Sequence, residues 1–301
     1  MAEPAPNAAP TTAVTARRRR GLMANDTVKR LLRSPSAVAG AVIVLLLILA
    51  GIFAPLLTPF DPVRQDLRSV LQPPSATHLL GTDNLGRDVL ARILYGARLT
   101  LFIGAFAVGV GLLFGVPLGI ISGYYRGIAD QVIQRLMDLM LSFTSFLLAL
   151  TLVALLGVGL TNVIVAVGIA TIPRFARLVR STVLSLREVT YIEASQALGA
   201  PDRRVLLKHI LPNSLAPVIV QATLSMGSTI LTAAGLGFLG LGVQPPTPEW
   251  GAMLGEGRNY IFSQPSVTTF PGLAIFLAVV GFNLLGDGLR DALDPQLRGR
   301  G

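Results

Sequence analysis

Residues 99–125 read LTLFIGAFAVGVGLLFGVPLGIISGYY, a run of 27 residues without a charged side chain. A helix needs about 20 apolar residues to cross the roughly 30 Å hydrocarbon core of a bilayer, so this run predicts a transmembrane helix. An unpaired charge is costly in hydrocarbon, and four further charge-free intervals are long enough to cross it: residues 34–60, 139–173, 210–248 and 259–286. The sequence therefore predicts an all-α, polytopic membrane protein.

The composition of the whole chain supports a membrane protein and excludes most catalytic chemistry. Of 301 residues, 52% are hydrophobic and 14% are charged, whereas soluble domains carry about 25% charged residues. The chain has no cysteine, and its two histidines, His78 and His209, are far apart, so we expect no disulfide, metal site or cofactor. Neither Lys29 nor Lys208 lies in the ATP-binding pattern G-x-x-x-x-G-K-[ST], so we predict that the chain is not itself an ATPase or another enzyme.

The net charge of +9 raises the question of nucleic acid as a partner. No stretch interleaves basic and aromatic residues as a single-strand-binding surface would, so we do not expect nucleic-acid binding. The basic residues are instead expected to face lipid headgroups and the cytoplasm.

The interval at residues 139–173 is too long for one span. Its 35 residues would form a helix of about 52 Å, so we expect it to fold back at residues 157–162, where glycine permits a tight turn. Six transmembrane helices result. They are predicted near residues 37–57, 99–123, 133–156, 161–179, 214–236 and 268–288.

Lysine and arginine are distributed asymmetrically between the predicted loops. With the N-terminus inside, 19 of the 25 basic residues lie on the cytoplasmic side and six outside, so both termini are expected in the cytoplasm. The apolar run after residue 36 is too long for a cleaved signal peptide, so we expect it to be retained. The predicted organisation is a disordered basic tail (1–36), a transmembrane domain (37–290) with extracytoplasmic loops (58–98 and 240–267) and a cytoplasmic segment (180–213), and a cytoplasmic tail (291–301).

The cytoplasmic segment 180–213 has the pattern of two helices joined by a turn. Gly199 is expected to supply a flexible or left-handed stop to the first helix. Pro201 and Asp202 favour the start of a second, short helix, which Pro212 is expected to end. The small side chains of the first helix permit close approach by another protein.

This segment resembles the "EAA loop" of membrane permease subunits of bacterial ATP-binding-cassette importers. The resemblance rests on Glu193-Ala194-Ser195, Gly199 and Ile210-Leu211-Pro212. Ser195 stands where alanine is usual, and His209 stands where many members carry isoleucine. In that family the segment is a coupling helix that docks into a groove on the cytoplasmic ATPase. The resemblance therefore implies ATPase coupling for Glu193, Ala194, Ser195, Gly199, Ala200, Pro201, Asp202, Leu211 and Pro212.

Other segments narrow the resemblance to the C-type permease of peptide importers, the branch of dipeptide, oligopeptide, glutathione and nickel systems. It covers about residues 30–298, and its one notable departure is Thr144 in place of a proline that would kink the third helix. The matching segments are HLLGTD at 78–83, GRD at 86–88, GAR at 96–98, FLGLG at 238–242, PPTPEWG at 245–251 and NLLGDGLRD at 283–291.

The resemblance implies a type I importer permease fold in the bacterial cytoplasmic membrane. It also implies a second permease subunit, cytoplasmic ATPase subunits and an extracytoplasmic substrate-binding protein as partners. The expected function is import of di- or oligopeptides, or of a related solute such as glutathione or nickel, with ATP hydrolysed on the partner subunits. An ion-coupled secondary carrier is the alternative, although the fifth and sixth predicted helices carry no charge except Asp287 at one end.

Polar residues of the fifth predicted helix are candidates for the wall of a translocation path. Hydrogen bonding between helices explains them equally well. The candidate residues are Gln221, Ser225, Ser228, Thr229 and Thr232. The glycines of the second predicted helix favour close helix packing.

Three further features have a structural and a functional interpretation. Residues 81–88, rich in glycine and aspartate, predict a folded loop held by ion pairs rather than a metal or phosphate site. Asp138 is expected to pair with Arg135 or to lie at the membrane edge rather than to relay protons. Trp250, the single tryptophan, is expected at the membrane–water interface on the extracytoplasmic side, or under a docked receptor.

Overall fold

The computed structural model describes residues 31–32 and 34–293, and the regular elements in this part of the chain are helices. Apart from a few residues, the predicted tails 1–36 and 291–301 lie outside the described residues. The helices are α1 (Pro35–Ile52), α2 (Ala54–Leu57), α3 (Val89–Tyr125), α4 (Gly127–Leu141), α5 (Ser145–Leu156), α6 (Leu160–Arg187), α7 (Thr190–Ala197), α8 (Asp202–Val205), α9 (Leu211–Phe238), α10 (Trp250–Gly257) and α11 (Ser266–Leu293). The prediction of an all-α membrane protein is confirmed.

Five helical stretches are long and apolar enough to cross a membrane, and the bent pair α4–α5 raises the number to six. The long helices extend beyond their predicted limits. The 37 residues of α3 begin at Val89, because the Asp88 carboxylate accepts a hydrogen bond from the Ala91 N–H and caps the helix. The last part of the predicted loop 58–98 is therefore helical, and the predicted loop 240–267 likewise contains α10.

The third predicted helix, at residues 133–156, is wrong as a single helix. Its two parts, α4 and α5, meet at 90°. The backbone of Thr144 is extended (φ −59°, ψ 143°), and the Ser142 hydroxyl donates to the Leu139 carbonyl oxygen at 2.7 Å. Such side-chain bonds compete with continued helix, so the chain bends here although Thr144 stands where the resemblance led us to expect a proline.

The chain connections collect at two ends of the helix bundle. We call the end with residues 58–88 and 239–265 the loop end, and the end with residues 188–210 the segment end. Helices α1 and α9 run toward the loop end, whereas α3, α6 and α11 run toward the segment end.

Glycines let α3 pack closely on α6. A Cβ added at Gly115 would lie 2.6 Å from the Cβ of Phe175, and one added at Gly119 would lie 2.5 Å from the Ala176 carbonyl oxygen. Glycine recurs at every fourth position of this face of α3: Gly111, Gly115, Gly119 and Gly123. The close packing expected for this helix is confirmed, although Gly109 faces open space.

The first helix, α1, packs one face on α11 and exposes the other. A Cβ added at Gly40 would lie 2.4 Å from the Leu285 backbone nitrogen, so the two backbones touch. The opposite face is suited to lipid and carries the exposed side chains of Val42, Leu45, Leu46 and Leu49.

Candidate functional site

The turn between α7 and α8 is formed by a glycine in the left-handed region. Gly199 has φ +78°, and no atom lies within 4 Å of a Cβ built on it. The Ala200 N–H donates to the Ser195 carbonyl at 3.1 Å, and the Gly199 N–H donates to the Gln196 carbonyl at 2.9 Å. This pair of bonds is a Schellman motif, so the predicted glycine stop is confirmed.

Helices α7 and α8, which this turn joins, form a helix pair whose inner face packs on the transmembrane helices. Ile192 of α7, Val205 of α8 and Ile210 are fully buried. They belong to one apolar cluster with Val179 and Val183 of α6. Burial of this apolar area fixes the pair against the bundle.

Tyr124, at the end of α3, ties the pair to a third helix. Its hydroxyl donates to the Asp202 carboxylate at 2.6 Å and accepts from the Gln196 amide at 3.2 Å. The Arg187 guanidinium donates to the Tyr124 carbonyl and lies over its ring. Sequence reasoning did not identify Tyr124, Gln196 or Arg187, because their positions are distant from their partners along the chain.

The outer face of the same pair is exposed. Leu198 has 88% of its surface exposed, and Tyr191 has 47%. These side chains leave the outer face open to contact with another protein. The residues assigned to ATPase coupling lie on or near this face: Glu193, Ala194, Gly199, Pro201, Asp202 and Pro212 are exposed, and Ser195, Ala200 and Leu211 are half-buried.

The prediction that Pro212 ends the second short helix is wrong. The helix continues from Asp202 to Phe238 as one 37-residue stretch. Residues 206–210 form a π-helical turn, in which the Leu211 N–H donates to the Leu206 carbonyl. A π-turn widens the helix where Pro212 lacks a donor, so proline is accommodated without a break. The short helix is therefore continuous with a transmembrane helix.

Two aspartates of α4 form ion pairs with arginines of α6 near the segment end. Asp130 accepts from the Arg180 guanidinium at 2.6 and 2.5 Å. Asp138 accepts from Arg177, so the predicted pairing with Arg135 is wrong. The bend between α4 and α5 lays α4 alongside α6, which brings Asp138 to an arginine of another helix.

The candidate path residues fall into two places. Gln221 lines a groove of about 520 Å³ between α6, α9 and α11, and its amide donates to the Ser225 hydroxyl at 3.1 Å. Ser228, Thr229 and Thr232 line a separate small recess. In the recess they meet Ser145 of α5 and Arg174 of α6, neither of which was predicted as part of a path.

At the loop end, Asp83 lies in a buried ion cluster. Its carboxylate accepts from Arg87 at 2.6 Å and from Arg92 at 2.5 Å. Both arginines also donate to Glu256 at 2.6 and 2.9 Å. His78 contacts Asp88 at 2.9 Å. These pairs support the folded-loop interpretation of residues 81–88.

Trp250 is buried, so its predicted surface position is wrong. Its exposed fraction is 0%, and its indole N–H donates to the Ile93 carbonyl at 3.0 Å. Glu249 caps α10 by accepting bonds from two backbone N–H groups, and the capped helix folds into the bundle. Burial raises the pKa of the Glu249 carboxyl, while these N–H bonds oppose the shift.

Comparison with known proteins agrees with this architecture. Residues 115–299 match the family model of binding-protein-dependent transport system inner membrane components. Residues 23–74 match the N-terminal transmembrane domain of oligopeptide transport permease C.

Two curated relatives match along most of the chain. The dipeptide transport system permease protein of Alkalihalophilus pseudofirmus is 52% identical over 273 residues, or 91% of this chain and 90% of the relative. The glutathione transport system permease protein of Pectobacterium atrosepticum is 50% identical over 271 residues, or 90% of each chain.

Among solved structures, a chain of the inward-facing MetNI methionine ABC transporter matches with a TM-score of 0.54 and 21% identity. The match covers 67% of this chain and 96% of that one, and it shows a shared fold. This fold, the membrane-spanning helices and the two relatives lead to one conclusion. The chain is a multi-pass inner-membrane protein that belongs to the permease components of binding-protein-dependent ABC importers, in the peptide-importer branch with the dipeptide and glutathione permeases.

Proposed function

We propose that this chain is one permease half of an importer that moves di- or oligopeptides, or glutathione, across the cytoplasmic membrane. The cargo class is supported by the two relatives, which are a dipeptide and a glutathione transport system permease protein. A second permease subunit completes the path, and the cargo passes at the interface between the two. ATP is hydrolysed on separate cytoplasmic ATPase subunits, and an extracytoplasmic binding protein delivers the cargo.

The observation that carries this proposal is the rigid connection of α7 and α8 to the bundle. Their outer face is open for a partner, while their inner face is buried against α6 and bonded to Tyr124 of α3. The helix from Asp202 to Phe238 continues directly into the candidate path. A displacement of the outer face therefore moves α3, α6 and α9 together, and coupling to an ATPase requires such a concerted movement.

Within this scheme, the residues from Glu193 to Ser195 and from Gly199 to Asp202 form the docking surface for the ATPase, and Leu211 and Pro212 join that surface to α9. The five polar residues of α9 contribute to the path wall. The segment end and both chain termini lie in the cytoplasm, and the loop end faces the binding protein. No covalent chemistry takes place on this chain.

Co-purification of the ATPase tests the docking surface. We expect an ATPase to be bound stoichiometrically to the gently extracted wild-type chain and to be lost in Leu198→Asp, because a carboxylate replaces the exposed apolar tip. Leu79→Asp is the matched control, since Leu79 is 62% exposed at the loop end. A chain that carries no ATPase in any variant would favour the ion-coupled carrier instead.

Cysteine labelling tests the proposed orientation in a chain that has no native cysteine. Ala76 and Ala197 are exposed at the loop end and the segment end, respectively. In spheroplasts, we expect a membrane-impermeant maleimide to label Ala76→Cys directly and to label Ala197→Cys only after permeabilisation. The reverse pattern would invert the proposed topology.

A further inference from the structure

The recess between α5, α6 and α9 contains an arginine that has no carboxylate partner within the described residues. Arg174 lies about 20 Å from either end of the 28-residue α6 and within the predicted span 161–179, near its proposed cytoplasmic end. Its guanidinium donates to the hydroxyls of Ser145 and Ser228, each at 3.3 Å. The other arginines of this stretch, Arg177 and Arg180, are ion-paired with aspartates. An ionisable side chain inside a membrane span is costly, so its presence there indicates a functional site.

The bonds that Arg174 makes leave its charge available. Both are longer than the usual 2.7–3.2 Å range for N–H···O bonds, so the hydroxyls hold the guanidinium weakly. The side chain is exposed on the side away from the α3–α6 contact. A guanidinium in this state can exchange two weak bonds for a bidentate, charge-assisted pair with an anion.

A second group in the recess also lacks a partner. The Thr229 hydroxyl is buried and makes no hydrogen bond with the described residues, although Thr229 is only 1% exposed. Thr229 and Arg174 line the same recess, so an unbonded O–H donor and a guanidinium share it. The recess has a volume of about 20 Å³, which holds one water-sized polar group rather than a whole peptide. Its hydroxyl-bearing residues are Ser145, Thr171, Ser228, Thr229 and Thr232.

We infer that Arg174 and Thr229 bind a carboxylate of the cargo during its passage. This inference rests on the proposed function, because dipeptides and glutathione share at least one free carboxylate at neutral pH. The guanidinium supplies the charge and two donors, the Thr229 hydroxyl supplies a third, and the recess admits one oxygen of the carboxylate. A cargo that presents only an amine to the recess is repelled by Arg174.

The test compares uptake of Ala-Ala with uptake of its C-terminal amide by the complete transporter in proteoliposomes, with the binding protein saturated. The binding protein is the same in every sample, so a change in the acid-to-amide uptake ratio between variants belongs to the permease. We expect Arg174→Gln to lower this ratio by about tenfold or more, because that fold-change corresponds to the loss of one charge-assisted hydrogen bond. Arg174→Lys keeps the charge and is expected to recover most of the ratio.

Arg177→Gln is the matched control, since it removes an arginine from the next turn of α6 that pairs with Asp138. We expect it to keep the wild-type acid-to-amide ratio. An unchanged ratio in Arg174→Gln, with uptake of both cargoes slowed equally, would overturn the inference. Arg174 would then have only a structural role, as a hydrogen-bonded link between α5 and α9. If amide uptake by the wild type is below detection, the amount of Ala-Ala imported per ATP hydrolysed is measured instead. This amount falls in Arg174→Gln if Arg174 contacts the cargo, and it is unchanged if Arg174 only links α5 to α9.

Failure of the proposed function has a different outcome. A wild-type transporter that imports neither Ala-Ala nor glutathione has another cargo class, and the carboxylate inference is then wrong together with the proposed function. A transporter that imports Ala-Ala but keeps its acid preference in Arg174→Gln refutes the inference alone.

Discussion

Gly199→Trp is expected to reduce cargo uptake by about 30-fold or more while leaving the chain in the membrane, because it obstructs a docking surface whose central contacts are worth at least about 2 kcal/mol. The glycine lies at the tip of the exposed turn with φ +78° and open space around it. An indole ring there projects into the volume in which we propose that the ATPase docks. The left-handed backbone costs a further 1–2 kcal/mol or so for a side chain with a Cβ, which is too little to unfold the bundle.

Gly127→Trp controls for the backbone strain. Gly127 also lies at the segment end, has φ +59°, and has no atom within 4 Å of an added Cβ. It is outside α7 and α8, so we expect the variant to keep most of its uptake. The measurements are uptake in proteoliposomes, bound ATPase after extraction, and the amount of chain in the membrane. Uptake within twofold of wild type in Gly199→Trp would refute the assignment of the turn to coupling.

Asp83→Asn is expected to destabilise the loop end by about 3–5 kcal/mol, because it leaves two buried arginines with a single carboxylate. Arg87 and Arg92 have exposed fractions of 0% and 1%, and after the substitution only Glu256 would balance them. The cluster joins the loop before α3 to α10, which is distant in sequence. We expect the thermal unfolding midpoint of the extracted protein to fall by about 10 °C and protease cleavage within residues 58–88 to increase.

Asp66→Asn is the control for this substitution. Asp66 lies in the same loop and accepts bonds from the Arg68 N–H and the Ser69 hydroxyl, but it is exposed. Its replacement changes the charge of the loop without leaving a buried charge unpaired, so the midpoint is expected to stay close to wild type. Equal shifts for the two variants would show that the Asp83 cluster does not hold the loop end together.

Local patterns in the sequence predicted the features that a few adjacent residues decide. Charge-free runs predicted the long helices, because the cost of a charge in hydrocarbon depends on each residue alone. Gly199 predicted a left-handed stop, because only the conformation of that one residue is involved. The same locality caused errors: Pro212 was expected to end a helix, but the π-turn at residues 206–210 lets the helix continue.

Contacts between distant residues account for what the sequence did not reveal. Tyr124 and Asp202 are 78 positions apart, and Arg87 and Glu256 are 169 apart, so no local pattern connects them. The sequence suggested a membrane-interface position for Trp250. In the structure, Glu249 caps α10, and this helix packs in the bundle with Trp250 buried.

The sequence by itself determined that the chain is a helical membrane protein of the importer permease family and where the turn lies that we propose for ATPase docking. It could do so because hydropathy, charge and a glycine turn are properties of neighbouring residues. Only the tertiary structure decided which helices the turn contacts, which charges are paired, and that Arg174 faces a recess without a carboxylate partner in the described part of the chain. Those facts depend on how helices pack, and packing brings together residues that the sequence keeps apart.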